Sequence, residues 1–173
     1  MADGIARPAS SLLVPTISHG PRTSRQVALT FDEGPHPERT PQVADALATH
    51  SAAATFLAAE IDRGAAVVRA LTGQEPVYRP PIGLKSPPLS RIAAQRQLSV
   101  IGWSLRSLDT RATDPEALAA KVLNRIQPGD IVLLHDDREV CARALPTLLE
   151  GLAHKQLQPV TVSTLLSGGP TPT

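Results

Sequence analysis

The chain has 173 residues, a formal net charge of +1 and one cysteine, Cys141. That length suits one domain with a sizeable core. The near-neutral balance gives no long-range electrostatic case for nucleic acid or an anionic membrane, and a lone cysteine excludes an internal disulfide and a cysteine-built zinc cluster.

Residues 1–24 hold few periodic apolar residues and read as a lead-in arm. They show no basic segment ahead of an apolar core, so no secretory signal is expected and a cytoplasmic setting is the default. No apolar run approaches a membrane span. A single domain is expected over 25–166, and the tail SGGPTPT at 167–173 is expected to be disordered.

The first strand is expected at Val27–Phe31, within VALTFDEGP. A short apolar run there ends in two acids, Asp32 and Glu33, followed at once by Gly34-Pro35. This pattern suits a buried strand that delivers carboxylates to the rim of a sheet. Paired carboxylates at a strand end suit a metal ligand beside a general base, or simply a solvated strand end. Thr40-Pro41 reads as an N-cap with Pro at the first helical position, and Val43, Ala46, Leu47 and His50 continue the helix face. Further strands are expected at Ala53–Leu57, Val77–Arg79, Val100–Ser104, Asp130–His135 and Pro159–Ser163. Ile61, Ala65, Val68 and Leu71 repeat at helical spacing up to Gly73, and 88–97 is a shorter helix candidate. Asp114-Pro115-Glu116 is a helix start, with Leu118, Val122, Leu123 and Ile126 as its stripe. Ala142, Leu145, Leu148, Leu149 and Leu152 mark the last helix, where Pro146 sets a kink or the true start. Cys141, in this apolar-periodic stretch, reads as a small buried hydrophobe.

Strand–helix alternation of this kind means crossover units and a parallel sheet, as a barrel or an open sheet. In either form function gathers at the carboxyl ends of the strands. Asp32, Arg79, Trp103 and His135 all fall at such ends. The four aromatics, Phe31, Phe56, Tyr78 and Trp103, also lie near strand ends. They either pack there or line one rim of a pocket.

Four motifs stand in order: TFDEGP at 30–35, RPPIG at 79–83, WSLRSLD at 103–109 and LLHD at 133–136. With ATF at 54–56 and EIDR at 60–63, the chain resembles the polysaccharide deacetylases of carbohydrate esterase family 4, over about 22–165. The resemblance implies a distorted (β/α) barrel, here about one strand–helix unit short. It also implies a metal-dependent hydrolase that removes acetyl groups from N-acetylglucosamine-containing oligo- or polysaccharides, with zinc or another divalent ion as cofactor. Residue by residue, Asp32 matches the general base and Glu33 a metal ligand that is normally Asp. Arg79 matches the arginine that orients the base. Pro81, Ile82 and Gly83 match the segment that helps hold the acetyl oxygen, although an aromatic is usual at Ile82. Leu133 matches an apolar wall for the acetyl methyl, and His135 a general acid. Asp109, in the motif around Trp103, matches an acid that supports the charge network. Thr110 replaces a usual Trp, and Arg106 replaces an earlier acid.

The family's second motif, two histidines four residues apart, is absent. The histidines are His19, His36, His50, His135 and His154, and no two have that spacing. ATFL at 54–57 runs almost directly into AAEIDRGAA at 58–66, where relatives carry several tens more residues. Catalytic zinc commonly uses three protein ligands. The family set offers Glu33, and His36 just past the Gly-Pro turn is a candidate addition. Weak or absent metal binding and impaired activity are therefore expected. The alternative is a non-catalytic carbohydrate-binding relative.

Overall fold

The computed structural model describes residues 16–57, 77–79 and 99–168. The first strand, β1 (Gln26–Asp32), is the axis of the fold. Helix α1 (Arg39–Thr49) and the short strand β2 (Thr55–Phe56) follow. β3 (Val77–Tyr78), β4 (Ser99–Val100) and β5 (Leu105–Arg106) come next, then a 3-10 turn at Asp109–Arg111. Helix α2 (Pro115–Leu123), β6 (Ile131–His135), helix α3 (Glu139–His154), β7 (Gln158–Val160) and helix α4 (Val162–Ser167) complete the order.

All these strands pair in parallel. β6 lies along one side of β1, in register from Ala28–Ile131 to Asp32–His135. The other side of β1 is shared, with β7 beside residues 26–28 and β2 beside residues 30–31. β5 extends the sheet beyond β6, while β3 and β4 form a separate two-stranded sheet. The expected parallel α/β architecture is present, and among the described residues the sheets do not join into a closed barrel.

Both faces of β1 are buried, which explains its nearly unbroken apolar run. Val27, Leu29 and Phe31, with Val132 and Leu134 of β6, pack under α1, α2 and α3 through Val43, Leu118, Val122, Leu145 and Leu148. The opposite face carries a smaller cluster of Ala28, Ile131, Ile101, Val160, Val162 and Leu165. Strand alternation therefore puts Ala28, Thr30 and Asp32 on the inner face, beside Ile131, Leu133 and His135.

Several elements differ from the sequence reading. The strand expected at Val100–Ser104 is split: β4 ends at Val100 and β5 starts at Leu105. Ile101 instead bridges Ile17, and the Ile101 and Gly102 carbonyls turn to the Arg79 guanidinium. Thr40 is not the N-cap of α1; Glu38 is, without a side-chain cap. Thr40 sits inside the helix, and its hydroxyl is used elsewhere. The Asp114 start is as read, its carboxylate accepting from Glu116 and Ala117 N–H. Pro146 lies inside α3, which runs on both sides of it. Residues 162–163, read as strand, instead begin α4, because the Thr161 hydroxyl caps that helix by accepting from Thr164 N–H. The helices read over 61–71 and 88–97 lie outside the described residues. So does the tail beyond Gly168.

Residues 16–24 are tied to the sheet. Ile17 exchanges backbone hydrogen bonds with Val100 and Gly102, and Gly20 N–H donates to Gly129. Arg22 pairs with the buried Asp130, which also accepts from Ser104. Among the described residues no helix is long and apolar enough to cross a membrane.

Candidate active site

At the carboxyl end of the sheet, β1 and β6 finish side by side on Asp32 and His135, which are register partners. Each is held by a second group from another element. Arg79, just past β3 and 4% exposed, donates to Asp32 Oδ1 at 2.7 Å. Its other nitrogens donate to the carbonyls of Gly102 at 2.8 Å and Ile101 at 3.4 Å. The guanidinium lies over the Trp103 ring, 5.5 Å from its centre. Arg79 therefore has a fixed orientation, and it fixes that of Asp32 in turn.

His135 is held by Asp109, whose Oδ1 lies 2.9 Å from the ring Nδ1. Asp109 Oδ2 accepts from the His135 backbone N–H at 2.7 Å. The Ser107 hydroxyl and Thr110 N–H complete the shell of this carboxylate. A carboxylate on Nδ1 keeps that nitrogen protonated and leaves Nε2 as the working atom.

The electrostatics divide the two pairs. Burial raises the Asp32 carboxyl above the ordinary carboxylate range, against the opposing charge and hydrogen bond of Arg79 and the charge of His135. Burial also disfavours charged His135. The Asp109 hydrogen bond and charge, with Asp32 and Asp137, outweigh that and raise its pKa. For Asp109 burial pulls upward, but the His135 contacts and Ser107 prevail and lower it. A carboxyl and an imidazole that both bind their protons more tightly than usual are suited to opposite ends of a proton transfer. Two non-glycine residues in the left-handed region flank these groups, Glu33 at φ 72° and Leu108 at φ 65°. Such conformations are uncommon and cluster where a site over-determines its backbone.

Four of the residues singled out from sequence, Asp32, Arg79, Asp109 and His135, thus come together. Trp103 reaches the site through Arg79. Leu133 lies beneath His135, 4% exposed and beside Thr30. Glu33 is exposed. His36 is engaged in the first turn of α1, where its Nδ1 accepts from Glu38 and Arg39 N–H and its Nε2 meets the Arg39 guanidinium. Pro81, Ile82 and Gly83 lie outside the described residues. Among the described residues no three His, Cys, Asp or Glu side chains gather so that they could hold a metal ion. The donors among the described residues do not fit a divalent cation, which wants several ligands converging on one point.

The aromatics separate. Phe31 and Phe56 stack on each other with centroids 5.1 Å apart, and Phe31 belongs to the helix-side core. Tyr78 is buried. Of the four, Trp103 contacts the site's charged groups. Sequence reasoning missed the Ser107 hydroxyl that donates to Asp109 and the buried contact of the Thr40 hydroxyl with the Asp136 carboxylate. Asp136 stood in the LLHD motif beside His135, whereas Thr40 was hidden by its resemblance to a helix cap.

The polysaccharide deacetylase family model matches residues 19–58. A peptidoglycan-N-acetylglucosamine deacetylase of Listeria monocytogenes is 27% identical over 198 residues, which cover 90% of this chain. The chain spans 42% of that relative's length. A chitooligosaccharide deacetylase of Azorhizobium caulinodans is 27% identical over 155 residues, covering 64% of this chain and 73% of the relative. Among solved structures, a carbohydrate esterase family 4 pseudoenzyme from Bacillus anthracis shares the fold with a TM-score of 0.78 at 20% identity, over 89% of this chain and 69% of that one. The family model, the relatives and the common fold agree with the order of the motifs along the chain, which is similar to the polysaccharide deacetylases over the matched segment and in its fold.

Proposed function

We propose that this chain is a deacetylase-type hydrolase of N-acetylglucosamine-containing oligo- or polysaccharides whose turnover is strongly reduced by an incomplete metal site. The observation that carries the proposal is the pairing of Asp32–Arg79 with Asp109–His135 on one face of the sheet rim. Asp32, steered by Arg79, takes a proton from the attacking water. His135, protonated through its contact with Asp109, gives a proton from Nε2 to the leaving amine nitrogen. Acetate and a free amine result. Leu133 and Trp103 are the groups we assign to shaping the pocket around the acetyl group.

In relatives of this kind a divalent ion supplies Lewis-acid activation of the amide. The described residues do not fit such an ion, and the sequence lacks the paired histidines. The acid–base step is therefore left without its electrophile, and slow hydrolysis follows. The test is acetate release from a chitooligosaccharide with added zinc or cobalt, set against Asp32→Asn. Positioned acid–base groups contribute about 10²–10⁴-fold, so the residual rate should fall by at least about 100-fold in the variant.

A second reading is a non-catalytic carbohydrate-binding domain. It is favoured by the same lack of converging metal donors among the described residues and by the exposed, left-handed Glu33. Oligosaccharide binding with no acetate release from the wild type would establish it.

A further inference from the structure

Asp136, the last residue of LLHD, has no part in the proton transfers above, yet it is 0% exposed. Among the described residues its Oδ1 has no hydrogen-bond partner, while Oδ2 accepts from the Thr40 hydroxyl. A buried carboxylate so thinly compensated is costly. Its surroundings show what the cost accompanies. The carboxylate lies against Gly34, so closely that a Cβ there would overlap it. Its backbone N–H donates to the Asp32 carbonyl at 3.3 Å, carrying the β1–β6 ladder one step past the Asp32–His135 pair. Thr40, its donor, also accepts from His36 N–H at 2.7 Å.

One side chain thus ties the end of β6 to the turn after β1 and to the first turn of α1. We propose that Asp136, held by Thr40, is a positioning residue that clamps the turn at 32–34 and so sets the Asp32 carboxylate opposite His135. The clamp explains why Gly34 has no side chain and why Thr40 does not cap α1. It also braces Glu33, whose backbone is left-handed. This deepens the proposed function and rests on reading Asp32 and His135 as its working pair.

The test uses Thr40→Ala, which removes the hydroxyl without changing any charge, and Thr40→Ser, which restores it. The readout is the His135 titration midpoint by NMR, which needs no turnover. Failure here is therefore distinct from absence of hydrolysis. The charged groups facing His135 are Asp109 from the 3-10 turn, Asp32 from β1 and Asp137 from the loop after β6. Because Asp32 raises the His135 midpoint, its displacement lowers it. The expected result is a fall of more than about 0.2 pH unit in Thr40→Ala, recovered in Thr40→Ser. In an Asp32→Asn background, Thr40→Ala should then have no further effect. The proposal is overturned by a smaller fall in Thr40→Ala, even with a lowered melting temperature. It is equally overturned if Thr40→Ser fails to recover the midpoint, or if the shift persists in the Asp32→Asn background.

Discussion

Replacing Arg79 by Met keeps most of the side-chain length and removes the charge and every donor. Three acceptors lose a partner: Asp32 Oδ1 and the carbonyls of Gly102 and Ile101. Breaking a fully buried ion pair by removing one member costs about 3–5 kcal/mol. The Asp32 side chain retains 22% of its accessibility, so water relieves part of that cost. The Ile101 contact, at 3.4 Å, is long and adds little. A loss of about 3 kcal/mol is expected, near the lower end of that range. For a chain of this size that lowers the melting temperature by roughly 6–12 °C. Urea unfolding followed by fluorescence measures it directly, because Trp103 is the single tryptophan and its ring lies 5.5 Å from the guanidinium. Arg79→Lys, which keeps the charge but not the fork, should lose about half as much. In a double-mutant cycle with Asp32→Asn the two losses should fall short of additive by more than about 1 kcal/mol. A loss in Arg79→Met below about 1 kcal/mol, or additive losses, would refute the claim that this pair is the anchor of the site.

The Asp109–His135 pair gives a pH signature. Asp109 titrates below its ordinary 3.8 in the folded chain, so its contribution is present above that value and fades as pH falls through the lowered one. His135 titrates above its ordinary 6.5, so its contribution is present below that value and fades as pH rises through the raised one. Thermal melts should therefore show a stability component between these limits that Asp109→Asn removes; an unchanged pH profile in the variant would contradict the pairing. Gly34→Ala should cost about 1–3 kcal/mol in urea unfolding, because the new methyl overlaps the Asp136 carboxylate. Asp114→Ala should cost about 1 kcal/mol in the same assay through loss of the α2 cap.

Much of this architecture is legible in the sequence because its signals are local. Val27–Leu29 ends on an acid and a Gly-Pro turn, and Asp114-Pro115 opens a helix; both depend on near neighbours. The site was legible for a different reason. Strand–helix alternation sends Asp32 and His135 to the same end of one parallel sheet, and Arg79 to the carboxyl end of β3 in the neighbouring parallel pair. What escaped depends on partners distant in sequence. Thr40 looks like an N-cap until Asp136, in the turn just past β6, takes its hydroxyl. Residues 100–104 look like one strand until Arg79 draws away the Ile101 and Gly102 carbonyls. His36 was a candidate ligand by its place after the turn, but the backbone donors of α1 engage its ring. The aromatics sit at strand ends for packing, except Trp103, which lies against a charge that sequence spacing does not reveal.

The most direct test of the central claim is acetate release from a chitooligosaccharide with excess zinc added, for the wild type and Asp32→Asn side by side. The account predicts slow release, well below the roughly 10 s⁻¹ typical of enzymes, that drops at least about 100-fold further in the variant. Release at an ordinary enzymatic rate, or release that Asp32→Asn leaves unchanged, would contradict it.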